Sequence, residues 1–341
     1  MVTKTVETPK SNFNLLGNLS ARQPKRSKAA QTQCNTSAVA AREMPTNEHM
    51  MTLQAEFDAL RREHTKLQQA VYEAAQIQRR LCAPREMAWG GFEIAGESFP
   101  VRHLSGDFFK VMELDGTLGL ALGDIAGKGL SAGIWQTHLL DLMLRSARTY
   151  QHPADAVSEV NRELCRDAGE PPITALFFAR LDPGKNELVY CNAGLPAPLV
   201  MRSDESVESL DEGGPMLGAM EEATYASGKV RLDCGDAFLA FSDGLTESRN
   251  LQDEEFESRR LTAAAKTFLG ASASQMLFST LAAVLDFAHG CPPSDDLTLL
   301  VVRRCDDGLI EQDLQRSQRP AAIRQARAKE VSGGKRFSAN N

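Results

Sequence analysis

The sequence predicts an α+β domain, and three observations carry that reading. Strand-like and helix-like segments come in blocks: three strands, two helices, five strands, two helices and a final strand. An alternating parallel sheet would interleave them instead. Turn signals such as Leu114-Asp115-Gly116 and Asp182-Pro183-Gly184-Lys185-Asn186 join neighbouring strands as hairpins. The composition, 42% hydrophobic and 24% charged over 341 residues, is that of an ordinary globular chain of about two domains, or one domain with extensions.

The elements follow in order. Residues 1–48 are rich in Ser, Thr, Asn, Gln, Lys and Arg without apolar periodicity, and are expected to form a disordered basic tail. The first element spans 50–83. There Leu53, Phe57, Leu60, His64, Leu67, Val71, Ala74, Gln78 and Leu81 recur at spacings of four and three. This is an a/d register held for about four heptads, with Arg, Glu, Lys and Gln between the seam residues. His64 and Gln78 weaken the seam, and Pro84 ends it. The narrow stripe favours a parallel dimeric coil over a single amphipathic helix laid on the domain that follows. The folded domain is expected over 84–305. Its first strands read as Phe92–Phe99, Gly106–Glu113 and Leu118–Gly123, followed by helices Leu130–Tyr150 and Pro153–Ala168. The second strand block is Ile173–Leu181, Glu187–Asn192, Pro198–Arg202, Val230–Leu232 and Ala237–Ser242. Helices Glu254–Leu269 and Ser272–Ala288 precede the last strand, Leu297–Arg303. Residues 306–341 return to a basic, polar composition and are expected to be a flexible tail.

The net charge of −7 is unevenly spread. Residues 1–50 and 309–341 each carry +4, which leaves −15 on residues 51–308. An acidic domain of this kind is a poor partner for nucleic acid, whose phosphates need clustered Lys and Arg. It is a good place to look for metal ligands. No apolar run approaches the roughly 18 residues of a membrane span, and the N-terminus lacks a signal-peptide layout. Seven scattered cysteines without a C-x-x-C pair read as reduced thiols, so a cytoplasmic protein is expected.

Four segments share one design, an aspartate beside Gly, Ser or another Asp at the edge of an apolar strand. They are Ser105-Gly106-Asp107-Phe108-Phe109, Gly123-Asp124-Ile125-Ala126-Gly127-Lys128-Gly129, Ser242-Asp243-Gly244 and Ser294-Asp295-Asp296-Leu297-Thr298. Carboxylates brought together repel and take up protons unless a cation neutralises them. Oxygen-only ligation suits Mg²⁺ or Mn²⁺ and not zinc. Two such ions about 3.5–4 Å apart can activate a water and clamp a phosphoryl group. A single Asp-Gly is mostly turn chemistry, but four such segments in one acidic domain point to a shared site. Competing motifs fail. Gly123–Gly129 follows a strand and opens a helix, yet has three residues between the glycines where a P-loop has four. Gly129 also stands where the magnesium-binding hydroxyl belongs. There is no G-x-S-x-G and no cysteine in an activated setting. His138 reads as a helix residue, and His103 is near the site by sequence only.

Taken together, SGDFF, GDIAGKG, ITALFF, NAGLPAPL, FSDGLTE and SDDLTLLVV, with the entry helix AAQIQRRLCAP, resemble the bacterial PP2C-like phosphatases of the SpoIIE/RsbU type over roughly residues 70–304. The resemblance implies an α–β–β–α sandwich with a centre of two Mn²⁺ or Mg²⁺ ions between its sheets. It implies that a metal-activated water removes phosphate from serine or threonine of a protein. Typical substrates in that family are STAS-domain anti-sigma-factor antagonists in partner-switching pathways. The residues that match the family's ligands are Asp107, Asp124 with the carbonyl of Ile125, Asp243 and Asp295, with Asp296 the fallback for the last. Asp107 and Asp124 carry the catalytic role of holding the activated water. Departures from the family pattern are Ser105 for Gly, Lys110 for Asp and Leu195 for His. Arg102 is the candidate for the relatives' phosphate-binding arginine, although an exposed strand arginine is the plainer reading. The heptad helix is expected to pair with a second copy or to receive a regulatory protein. The second reading of the whole chain is a catalytically inactive module of the same fold that binds or sequesters a signalling partner.

Overall fold

The structure, a computed structural model, describes residues 47–82, 85–168 and 171–305; residues 1–46 and 306–341 of the expected tails and Pro84 lie outside the described residues, while Asn47 and Glu48, expected in the tail, already belong to the first helix. The chain divides into two compact units, Met1–Asp58 and Ala59–Asn341. In the first, the described residues are the start of helix α1, Asn47–Leu81, with Leu53 and Phe57 exposed. In the second, α1 keeps Leu60 and Leu67 exposed and buries Ala75 and Gln78 in its last turns. The end of the helix therefore lies on the domain, while the earlier seam is bare. Lys110 Nζ donates to the Leu81 carbonyl at 2.6 Å, so a cation caps the C-terminal end of α1.

The rest of the second unit is built on two antiparallel sheets. One has the strand order β1 (Glu86–Trp89), β2 (Phe92–Phe99), β12 (Leu297–Arg304), β11 (Ala237–Phe241), β7 (Leu199–Met201) and β8 (Val207–Ser209). The other runs β10 (Gly228–Arg231), β6 (Glu187–Ala193), β5 (Thr174–Asp182), β4 (Thr117–Ile125) and β3 (Phe108–Leu114), with β9 (Gly213–Gly214) added parallel to β6. Helices α2 (Leu130–Thr149) and α3 (Pro153–Ala168) cover the second sheet, and α5 (Glu257–Lys266) and α6 (Ala273–Ala288) cover the first. The four layers are helix, sheet, sheet, helix. Among the described residues no helix is long and apolar enough to cross a membrane.

Local chemistry explains the layering. Strand β11 is buried at every position because alternate side chains enter different cores. Phe238 and Ala240 face the other sheet, whereas Ala237, Leu239 and Phe241 pack under α5 and α6. Strand β12 divides in the same way, with Leu300 and Val302 on one side and Leu299 and Val301 on the other. Asp115 and Gly116 both take positive φ, which fits the two-residue loop joining β3 to β4. A capping box of Ser272 and Gln275 starts α6. The buried Arg180 of β5 donates to the carbonyls of Ala147 and Tyr150 and to Thr117 Oγ1, closing the C-terminal end of α2. Burial lowers its pKa, although arginine stays charged at any ordinary pH.

Candidate metal centre

The connections at one end of the two sheets bring the four aspartate segments together. Asp107 immediately precedes β3 and Asp124 is the second-last residue of β4; the pairing of Phe108 with Gly123 sets them side by side. Asp243 opens the short helix α4, Asp243–Thr246, directly after β11. Asp295 lies two residues before β12, and Ser242 N–H donates to the Thr298 carbonyl at 3.0 Å to join the two approaches.

Two glycines make room for this. A Cβ on Gly106 would sit 2.7 Å from the Ile125 carbonyl oxygen, 3.2 Å from that of Gly127 and 3.6 Å from Asp124 Oδ1. Glycine leaves these three oxygens facing a space that any side chain would fill. A Cβ on Gly244 would meet the Asp296 carbonyl oxygen, so the α4 turn and the β12 approach touch through backbone.

Electrostatics then act on the row. Burial, followed by the charge of Asp124, pushes the Asp107 carboxyl well above the usual range. Burial and then the charge of Asp243 raise Asp124 to about 6. Asp243 is raised by burial and by Asp295. Each acid is thus destabilised by the next. Asp107 Oδ2 is buried without a hydrogen-bond partner. The hydroxyls of Ser242 and Thr298 lie beside Asp107 and pull its pKa back down, but their well-aligned bonds go to the Asp296 carbonyl and to Ser98 Oγ. An anionic oxygen in that position needs a positive partner.

The two adjacent aspartates have separate roles. Asp296 is buried, and its carboxylate accepts from Val101 N–H at 2.7 Å, Ser105 Oγ at 2.6 Å and Gly106 N–H at 3.1 Å. These bonds pin the loop before β3. Asp295 is partly exposed and points to Lys128 Nζ, 2.8 Å away. The oxygens of Asp296 are therefore committed to structure, which favours Asp295 as the ligand. As the chain stands, no three His, Cys, Asp or Glu groups among the described residues close on one point to hold an ion. The donor set still fits a hard cation: carboxylates, one backbone carbonyl and an unpartnered buried oxygen, with no soft ligand.

Other sequence candidates separate clearly. Ile125 is buried and turns its carbonyl to Gly106. Leu195 is buried beside Gly194 and, with Ile173 and Met216, makes an apolar wall of a cavity of about 110 Å³ that Asp124 and Asp243 also line. Lys110 caps α1. Arg102 and His103 are exposed between β2 and β3, and His138 sits on α2 with its ring edge against Trp135. Sequence reasoning missed two supports. Ser105 Oγ bridges Asp296 to the Asp107 N–H, and Gln78 bonds both backbone groups of Ser105, accepting from its N–H at 3.1 Å and donating to its carbonyl at 2.9 Å. A glutamine at a heptad seam position was the one signal for the second.

Comparisons with known proteins show the same fold. A family profile described as stage II sporulation protein E matches residues 114–305. The phosphoserine phosphatase RsbU of Bacillus subtilis is 25% identical over 253 residues, 73% of this chain and 74% of that protein. Among solved structures, the SiaA-PP2C domain of Pseudomonas aeruginosa aligns with a TM-score of 0.62 at 18% identity, covering 71% of this chain and 98% of the domain. The PP2C phosphatase domain of SpoIIE from Bacillus subtilis, with a fragment of its regulatory domain, aligns at 0.55 and 18% identity, covering 62% of this chain and 63% of that one.

Proposed function

The chain belongs to the SpoIIE family, and from that premise we propose that it is a metal-dependent phosphatase removing phosphate from serine or threonine of a protein. The substrate is of the STAS-domain anti-sigma-factor-antagonist type, in a partner-switching pathway. One observation carries the reading: Asp107, Asp124, Asp243 and Asp295, spread over nearly two hundred positions, lie at one end of the sandwich, and burial together with neighbouring carboxylates raises the pKa values of the first three. No packing need explains such a row.

Two Mn²⁺ or Mg²⁺ ions, when bound, supply charge for the phosphoryl oxygens and a water acidic enough to ionise near neutral pH. The chain's part is to hold and orient. Asp107 and Asp124 face one another across the β3–β4 ladder, and Ile125 offers its carbonyl beside them. Asp243 and Asp295 approach from the other sheet. Asp296, Ser105 and Gln78 act at one remove, keeping the backbone of residues 105–107 in place. Ile173, Leu195 and Met216 give one side of the site an apolar wall. The exposed seam of α1 pairs with a second copy or receives a regulatory protein.

The test is phosphate release from a phosphorylated STAS-domain protein with Mn²⁺, with EDTA, and by Asp124→Asn. Release that needs both the metal and Asp124, with an unchanged circular dichroism spectrum in the mutant, supports the reading. Activity on a small aryl phosphate alone would keep the site and reject the substrate. Silence on both would favour the inactive binding module.

A further inference from the structure

The metal-free row already contains one cation. Lys128 Nζ lies 2.8 Å from Asp295 Oδ2 and donates to the Ser294 carbonyl, also at 2.8 Å. Both contacts reach from the loop after β4 to the approach of β12, so the lysine ties together the two sheets that supply the carboxylates. Among the described residues, Asp295 is the one carboxylate of the four that is ion-paired. The side chains are 34% and 39% exposed, which leaves the pair open to exchange with solvent ions. An ammonium is a compact point charge on a flexible stem, well suited to standing in for a cation and then leaving.

We propose that Lys128 is a built-in counter-ion for Asp295: its ammonium holds Oδ2 of that carboxylate until a divalent ion displaces it. The inference rests on the metal-centre reading above and adds to it an asymmetry. An ion bound through Asp295 must first break the Lys128 contacts. An ion bound through Asp107 and Asp124 breaks no such pair. The two ions therefore bind unequally, and the weaker one is set by Lys128. The free lysine is a positioning residue, because it acts through Asp295.

Calorimetric titration of the full chain with Mn²⁺, without substrate, reads this directly and independently of turnover. Lys128→Met is expected to tighten the weaker ion by about fivefold or more, the scale of one lost competing charge at close range. Lys128→Arg, which keeps a cation there, should stay within about twofold of wild type. In the Asp295→Asn background, Lys128→Met should change affinity by less than about twofold, the remainder left by the ammonium's weaker action on Asp243. An unchanged titration for Lys128→Met would overturn the proposal. Equal tightening in the Asp295→Asn background would overturn it too, because that would be a diffuse charge effect. Wild-type protein that binds no Mn²⁺ would reject the metal-centre reading and this inference with it, and is told apart by the absence of any heat in the parent chain. A thermal melt of each variant, expected at the wild-type transition with excess Mn²⁺, checks that the fold is intact.

Discussion

At Gly106 a single hydrogen atom in place of a methyl group lets the Ile125 carbonyl, the Gly127 carbonyl and Asp124 Oδ1 come close to the backbone. Gly106→Ala is therefore expected to push the Ile125 backbone aside, keeping the secondary structure but weakening Mn²⁺ binding about tenfold, the scale seen when the surroundings of a ligand set are disturbed. Calorimetry with a parallel circular dichroism spectrum checks both halves; unchanged affinity would mean that these oxygens hold no ion. The raised acids make a second prediction. In metal-free protein Asp124 keeps its proton to about pH 6, whereas in the unfolded chain it loses it near the ordinary carboxyl value of 3.8. Between these values the folded state binds more protons, so stability falls as pH rises through the window and is flat with respect to this group above it. With EDTA the melting temperature should be lower at pH 7.5 than at pH 5, and Mn²⁺ should recover most of the loss at pH 7.5. A metal-free melting temperature that rises across the window would contradict this. Much of the site was legible at this scale, because an aspartate flanked by glycine or serine at a strand end has few packing uses. Residue type alone offers no choice between Asp295 and Asp296; hydrogen bonds from Val101, Ser105 and Gly106 to Asp296 are what tilt the proposal to Asp295.

Among the elements, α2 depends on a residue from another one. Arg180 of β5 supplies the donors for the carbonyls of Ala147 and Tyr150, which no turn of helix can satisfy. Arg180→Met should cost about 2 kcal/mol, since it leaves buried acceptors without a donor while the hydrocarbon volume is kept. The urea midpoint at saturating Mn²⁺ is the measurement, and a shift indistinguishable from zero would mean that water replaces the guanidinium. The longer strands were readable because burial on both faces writes near-continuous apolar runs, as in Ala237–Phe241 and Leu297–Arg304. Strands β1, β8 and β9 and helix α4 span two to four residues, too short for any period to show. Helix α5 begins at Glu257, three residues later than its pattern suggested, because Asn250 and Arg249 bind Glu254 and Glu255 into a separate turn.

For the whole molecule, the exposed seam of α1 leads to a prediction about association. Leu60 and Leu67 are 66% and 64% exposed although they fall in a regular seam. The full chain is expected to sediment as a dimer, and Leu60→Glu with Leu67→Glu as a monomer, because each charge would have to be buried in the coil. A wild-type monomer at all concentrations would assign the seam to another protein. What the sequence could not disclose was strand order, which has no local signature. Strand β12 lies between β2 and β11, and Thr298 Oγ1 meets Ser98 Oγ across a separation of 200 residues. That placement has a consequence for the order of synthesis. A ribosome delivers the inner strand of the first sheet, and Asp295 and Asp296 just ahead of it, after every other element of the sandwich has emerged. Until then the loop before β3 has no carboxylate to pin it, and the partly made chain holds an incomplete ion site beside an open sheet. The complete set of carboxylates would thus be assembled only in one late step, and a nascent chain stalled before residue 295 would lack the last of them.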